Sequence, residues 1–502
     1  MMAKSSRIAV FALFFVLVVG GVVAVTRSTS AVKAAEPKAL TVMASAATKP
    51  IPAPPVAMPT LTLPQGAISY TAKRGDTMPG LVRKYLWESK YMTASEFEAA
   101  IREANGGLKG TFLKAGDNII VPGIEPISNE KLVPVPRDYE VRAIYLTGLM
   151  ATSEKGISIV KQWRKVGGNA VVFDIKDSDG IVNIPFDHKL APPNKNHYIK
   201  NLSKYTHFLH SQGMHAIARI AIFRDEEMVK HHPELAVQSR RSGQAWRENG
   251  KLVWTDTSNP DIQAYNIALA KTAAQGGADE VQFDYVRFPA EGDQKDAKFH
   301  FQTANPTWQR TDVITNFLKD AYAELHPTGV LLSLDVFGVM AWQRQVDLAH
   351  TGQDIPNMAK YCDVLSPMIY PSHFFGMDGY ALPGDAPEHF IGTSMDRFRL
   401  ITKDTHVVLR PWLQAFAWKT KTYSPEYIRV QVASSKNKGG VGFLFWNARN
   451  DYSKPYVAMP EMAKDSAKFF RGDEWTNMPK LTEPKPAGMK PSTVSAAPAQ
   501  GQ

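Results

Sequence analysis

The feature that most constrains the fold is a regular alternation of short apolar runs with longer helical patterns, starting after Val133-Pro-Val-Pro136. Strand-like runs fall at 141–147, 170–175, 215–223, 280–288, 330–337, 364–370, 406–413 and 440–446. Helical patterns fall between most of them, at 156–166, 198–212, 262–275, 308–325, 395–403 and 425–437. Strands that alternate with helices make parallel βαβ units. Eight such units in about 320 residues fit a closed (β/α)8 TIM-type barrel better than an open sheet. No G-x-G-x-x-G or P-loop follows the first run, which weakens a nucleotide-binding reading.

In a parallel barrel, ligands meet the chain at the C-terminal ends of the strands. The run 280–288 ends at Pro289 and carries Asp284 near that end, with Gln282, Asp284 and Val286 on one face. A carboxylate there is costly unless it is paired or employed, so Asp284 is the first catalytic candidate. The other strand ends contribute Asp174, Lys176 and Asp177, then Arg219, Tyr285 and Arg287, then Asp335. The last three runs add Tyr370 and His373, Arg410, Trp412 and Gln414, and Trp446 with Asn447. Carboxylates and amides bond sugar hydroxyls, and indoles cover the apolar faces of sugar rings. The set therefore suits a glycan.

Glycoside hydrolysis needs two carboxyl groups, one charged and one protonated. Asp284 and Asp335 fall on adjacent strands, whose backbones lie about 4.8 Å apart. Asp284 is assigned as nucleophile and Asp335 as acid/base, the retaining arrangement, and Asp174 is the rival second carboxylate. This reading expects the pair to face an open cleft, about 5–9 Å apart. The blander alternative is that Asp174 pairs with Lys176 or Arg219, and that Trp412 and Trp446 cap the core.

The segment Trp254-Thr-Asp-Thr-Ser-Asn-Pro260, with Asp279-Glu-Val-Gln-Phe-Asp-Tyr-Val-Arg-Phe-Pro289, resembles a bacterial family grouped with the glycosyl hydrolases. Val172-Phe-Asp174-Ile-Lys176-Asp177 with Gly180 fits that family's second-strand motif, and the resemblance spans roughly 142–471. It implies a barrel related to glycosidases, placed by the sequence at 137–472. Hydrolysis comes from the resemblance, because spacing alone yields only a carboxylate-lined barrel.

Ahead of the barrel, 67–124 reads as a small β-α-α-β unit. Tyr70, the Gly75-Asp76-Thr77 turn, Asn105, Gly116-Asp117 and the closing Ile-Val-Pro122 together resemble a LysM module. Ser95-Glu-Phe-Glu98 reads as the capping box of its second helix. The resemblance implies binding of peptidoglycan or another N-acetylglucosamine-containing glycan by Gly75, Asp76, Thr77, Leu113 and Lys114. The segment Trp87–Thr93 is longer than such modules usually carry.

Lys4 and Arg7 precede eighteen uncharged residues, 8–25, so 1–26 reads as a signal peptide or a single-pass membrane anchor. Either places the rest of the chain outside the cytoplasm, in the cell envelope. A Pro/Ala-rich linker follows at 27–66, and 473–502 has the composition of a disordered tail. The net charge of +10 suits anionic polymers or lipid, but the basic residues are scattered and no nucleic-acid module is present. Neither a metal-ligand cluster nor a cofactor motif is read. The lone Cys362 excludes an internal disulfide and sits in an apolar context expected to bury an inert thiol. Two functions compete: an envelope glycoside hydrolase acting on a polysaccharide with LysM tethering, or a non-catalytic glycan-binding or scaffold protein.

Overall fold

A computed structural model describes residues 63–126, 139–194 and 197–464. The N-terminal apolar segment, most of the linker and the C-terminal tail lie outside the described residues.

Residues 68–121 form a βααβ unit. Strands Ile68–Thr71 and Asn118–Val121 pair antiparallel, with Ile68 opposite Val121. Helices Met78–Tyr85 and Ala94–Ala104 pack on them through Met78, Leu81, Phe97, Ile101 and Ile119. The second helix is capped by Thr93, whose side chain accepts from the Glu96 N–H, so the helix starts before the Ser95 capping box expected from sequence. Asn105 explains its place at the helix end: its amide donates to the carbonyls of Ile101 and Ile120 and accepts from the Ile120 N–H.

The rest is a closed parallel barrel of eight strands: β1 (Arg142–Leu146), β2 (Ala170–Lys176), β3 (His215–Ala221), β4 (Glu280–Asp284), β5 (Leu331–Phe337), β6 (Val364–Ile369), β7 (Val408–Leu409 and Trp412–Gln414) and β8 (Phe443–Trp446). Consecutive strands pair throughout, and β8 returns to β1, with Phe443 opposite Arg142. The expected (β/α)8 architecture is what forms. Strand β7 breaks at Arg410-Pro411, where proline offers no N–H to the ladder.

Helices start where the local chemistry dictates. The side chains of Ser153, Asn201, Asn259 and Ser424 each accept from an N–H of the first turn, and Pro260 and Pro425 occupy first-turn positions. The helix expected at 395–403 begins earlier, at Pro387, and runs to Ile401. Outward strand residues such as Phe173, Ile220, Phe283 and Leu334 pack under these helices. Inside the barrel, Ala143, Val172, Ile217 and Leu444 make an apolar side. On the other side, Glu280 accepts from Arg410 at 2.8 Å and bonds His215 at 2.9 Å, all three buried. Although burial opposes it, Arg410 and then His215 hold Glu280 down to about 2. Cys362 is buried and free, its thiol pushed well up by burial.

The long Trp87–Thr93 segment finds its use in docking. Lys204, on the barrel helix Leu202–Ser211, donates to the Leu86 carbonyl, and Lys200 and Lys204 lie over the Trp87 ring. Met92 is 5% exposed and belongs to the barrel's own apolar cluster. Glu96 pairs with Lys161 at 2.6 Å, and Ser95 donates to Glu154 at 2.6 Å. Met92→Ala removes the apolar plug of this contact. It is expected to cost about 2 kcal/mol and to separate the unfolding of the small unit from that of the barrel, as read by calorimetry.

Candidate functional site

Period-two alternation carries Tyr145, Asp174, Arg219, Asp284, Asp335 and Trp412 to the C-terminal end of the barrel interior. Arg219 is the hub. One guanidinium nitrogen, Nη1, lies 2.5 Å from Asp174 Oδ1 and 3.3 Å from Asp177. Nη2 and Nε reach the same oxygen of Asp284, Oδ2, at 2.6 and 3.2 Å. Asp335 Oδ2 lies 3.9 Å from Nε. The Asp284 and Asp335 oxygens thus flank one nitrogen and are no more than about 7 Å apart, a separation compatible with either stereochemical class.

The carboxyls are not equivalent. Asp284 Oδ1 accepts from the Tyr285 N–H at 2.6 Å, and its side chain keeps 10% of its surface exposed. Asp174 is buried between Arg219 and the Tyr145 hydroxyl, which donates to Oδ2. Burial raises Asp174 to about 7 against the pull of Arg219. Asp335 is 1% exposed; Oδ1 accepts from the Trp412 indole at 2.7 Å, and Oδ2 has no hydrogen-bond partner among the described residues. Burial first, and then the charge of Asp284, push Asp335 well above the carboxylate range. Asp284 is thus hydrogen-bonded to the arginine, while its more deeply buried neighbour is shifted toward the protonated form.

Aromatic rings surround the pair. Trp446 stacks on Tyr145 with centroids 4.1 Å apart and meets Trp412 edge-on at 5.7 Å. The Arg219 guanidinium lies 5.5 Å from the Trp446 ring centre. Tyr370 is nearly buried, its phenol raised by burial and then by Asp335. His373, beside it at 5.4 Å, is lowered to about 4 by burial and then by Lys419, so its imidazole is neutral near pH 7. Of the three carboxyls, Asp174 and Asp335 are 1% exposed and Asp284 is 7% exposed, so Asp284 keeps the most open surface. A cavity of about 500 Å³ lies on the loop after β2, lined by His188, Pro192, Asn194, His197, Tyr198 and Glu227.

Several predicted site residues are placed elsewhere. Lys176 is fully buried, donating to Asp225 at 2.7 Å and to Asn266 at 2.9 Å; a register shift between Asp174 and Lys176 takes it out of the barrel lumen. Strand β4 stops at Asp284 because Tyr285 adopts a left-handed φ of 54°. Val286 therefore does not continue the inward face, Tyr285 packs against Trp254, and Arg287 lies between the Trp254 and Phe337 rings at 4.7 and 4.6 Å. Arg410 belongs to the deep Glu280 network. Gln414 accepts from the Ser372 N–H and donates to the Phe416 carbonyl, and Asn447 donates to the Ala415 carbonyl; both tie loops together.

In the small unit, Gly75 takes a φ of 92°. Asp76 accepts from the Tyr70 hydroxyl and the Lys73 N–H, and Thr77 caps the first helix. Leu113 is buried in the core of the small unit, while its neighbours Phe112, 78% exposed, and Lys114 face solvent. Tyr145, which donates to Asp174, is the residue of the cluster that the strand-end reading leaves out. The alternation Ala143, Tyr145 within β1 is the signal that points to it.

A family model described as "Putative glycosyl hydrolase domain" matches residues 143–452, most of the chain and nearly all of the barrel. The chain belongs to that family. Among solved structures, it is similar to a hypothetical protein from Ruminiclostridium thermocellum, at 35% identity over 38% of this chain and 97% of that one, TM-score 0.34. It is also similar to the glycoside hydrolase domain of PgaB (BpsB) from Bordetella bronchiseptica, at 14% identity over 66% and 99%, TM-score 0.47. A third is the spore cortex-lytic enzyme SleL from Bacillus megaterium, at 13% identity over 80% and 86%, TM-score 0.39. No protein of curated function matches the chain.

Proposed function

We propose that this member of the family is a cell-envelope glycoside hydrolase acting on a polysaccharide such as an amino-sugar polymer. The observation that carries the reading is the unequal pair on one arginine: Asp284 hydrogen-bonded to Arg219, and the more deeply buried Asp335 shifted toward its protonated form with no hydrogen bond to Oδ2. In the proposed step, Asp335 gives its proton to the glycosidic oxygen as that bond breaks, while Asp284 attacks the anomeric carbon. Asp335 then takes a proton from the water that releases the glycosyl group. Arg219 orients Asp284, and Tyr145 with Asp174 orients Arg219. Trp412 fixes the proton-bearing carboxyl, and Trp446 offers a ring face to the sugar.

The small unit, by its resemblance to LysM, would hold an N-acetylglucosamine-containing glycan and raise the local substrate concentration. The apolar N-terminal segment would keep the chain at the membrane, or export it if cut. Purified peptidoglycan glycan strands and N-acetylglucosamine polymers are the substrates to assay. Release of reducing ends by the full chain, reduced at least about a hundredfold in Asp284→Asn, is the expected result.

A second reading has its own support. Asp284 spends both oxygens on Arg219 and Tyr285, and Asp335 is almost sealed, as in a structural ion-pair network. A non-catalytic glycan-binding barrel would then show saturable binding, untouched by Asp335→Asn, and no product.

A further inference from the structure

Beyond the carboxylates, the loops after β6 and β7 carry aromatic rings outward in an unbroken file. Tyr370 touches Phe416 at 5.7 Å and His373 at 5.4 Å, and His373 touches Trp418 at 4.9 Å. Trp418 meets Phe375 edge-on at 5.6 Å and 87°, so the two rings form a corner. Both are left partly open to solvent, at 36% and 38%, although burying either would be favourable. Lys419 is held in a left-handed conformation, φ 46°, uncommon for a residue with a side chain. Its ammonium sits 3.8 Å from the Phe375 ring centre and 4.6 Å from that of Trp418.

We propose that Trp418, Phe375 and Lys419 form a sugar subsite at the rim of the barrel mouth, holding one pyranose unit of the polymer whose neighbouring units lie toward Asp284 and Asp335. An indole and a phenyl ring at right angles give one platform for the CH face of a pyranose and one side wall. Lys419 brings three N–H donors to the edge of that platform, where ring substituents with oxygen acceptors would lie. The ring file from Tyr370 to Phe375 connects the corner to the carboxylates, which separates it from a stray exposed aromatic pair. His373, neutral and mostly buried, completes the wall without adding charge. The subsite rests on the hydrolase reading for its role in catalysis, but its occupancy is testable without turnover.

The experiment uses the full chain carrying Asp335→Asn, labelled with fluorotryptophan, with the Trp418 signal identified by its loss in Trp418→Phe. Soluble oligosaccharides of chitin and of cellulose are the probes, since every pyranose has a CH face. The expected result is a saturable shift of the Trp418 fluorine resonance, with affinity, read for all variants by isothermal titration calorimetry, lowered roughly tenfold in Trp418→Ala and largely kept in Trp418→Phe. If neither probe moves the resonance, or if Trp418→Ala lowers thermal stability with affinity unchanged, the rings only clasp the two loops and the subsite is wrong. A shifted Trp418 in a protein that cleaves no polymer keeps the subsite and overturns the hydrolase reading instead.

Discussion

Asp335→Asn is expected to lower kcat on a native polysaccharide by about a thousandfold, within the range of ~10²–10⁴ typical of a lost general acid. KM should change little, because the residue is buried and its amide can still accept from Trp412. Two signatures separate loss of the acid from misfolding. A leaving group that needs no protonation, such as a nitrophenol, should recover much of the rate. The alkaline limb of the wild-type pH profile should also disappear: an acid works only while it holds its proton, so wild-type activity falls as pH rises through the elevated Asp335 value. If the limb survives in the variant, Asp174, held at about 7, becomes the acid.

Arg219→Met should be the most destabilising single change at the site, about 3–5 kcal/mol at neutral pH, the cost of leaving buried charge without its partner. Asp174, Asp177, Asp284 and Asp335 all lie within 4 Å of this guanidinium. Its loss raises carboxyl pKa values in the folded state above their unfolded values. The folded variant then binds more protons than the unfolded chain, so its stability falls as pH rises from about 4 upward and partly returns on acidification. Glu280 works in the opposite direction: held at about 2, its contribution is present above the unfolded value and is lost as pH falls toward 2. Urea unfolding at weakly acidic and weakly alkaline pH reads the difference. An equal cost at both would mean that Arg219 contributes packing alone.

The barrel was legible because strands and helices leave different periods in the sequence, and because the strand ends name the face where side chains converge. Asp174, Arg219, Asp284, Asp335 and Trp412 were found that way. The misplaced charges share a cause that no period reveals. A register shift after Asp174 turns Lys176 outward, a left-handed Tyr285 ends β4 before Arg287, and Arg410 lies one inward step below Trp412. Each depends on where a strand starts, slips or stops, to within a residue. The same limit moved the cap of the small unit's second helix from Ser95 to Thr93. That Asp284 and Asp174 would share one arginine was foreshadowed only as the alternative pairing of Asp174.

The central claim is that two neighbouring carboxyls on Arg219 differ in protonation, and difference infrared spectroscopy reads that directly, without a substrate. At neutral pH the wild-type chain should show the carbonyl stretch of a protonated, water-shielded carboxyl that is missing from Asp335→Asn and that ionises at a lower pH in Asp284→Asn than in the wild type. If the spectra of wild type and Asp335→Asn differ only by an ionised carboxylate band, Asp335 carries no proton to give. The cluster is then an ion-pair network holding a binding barrel together.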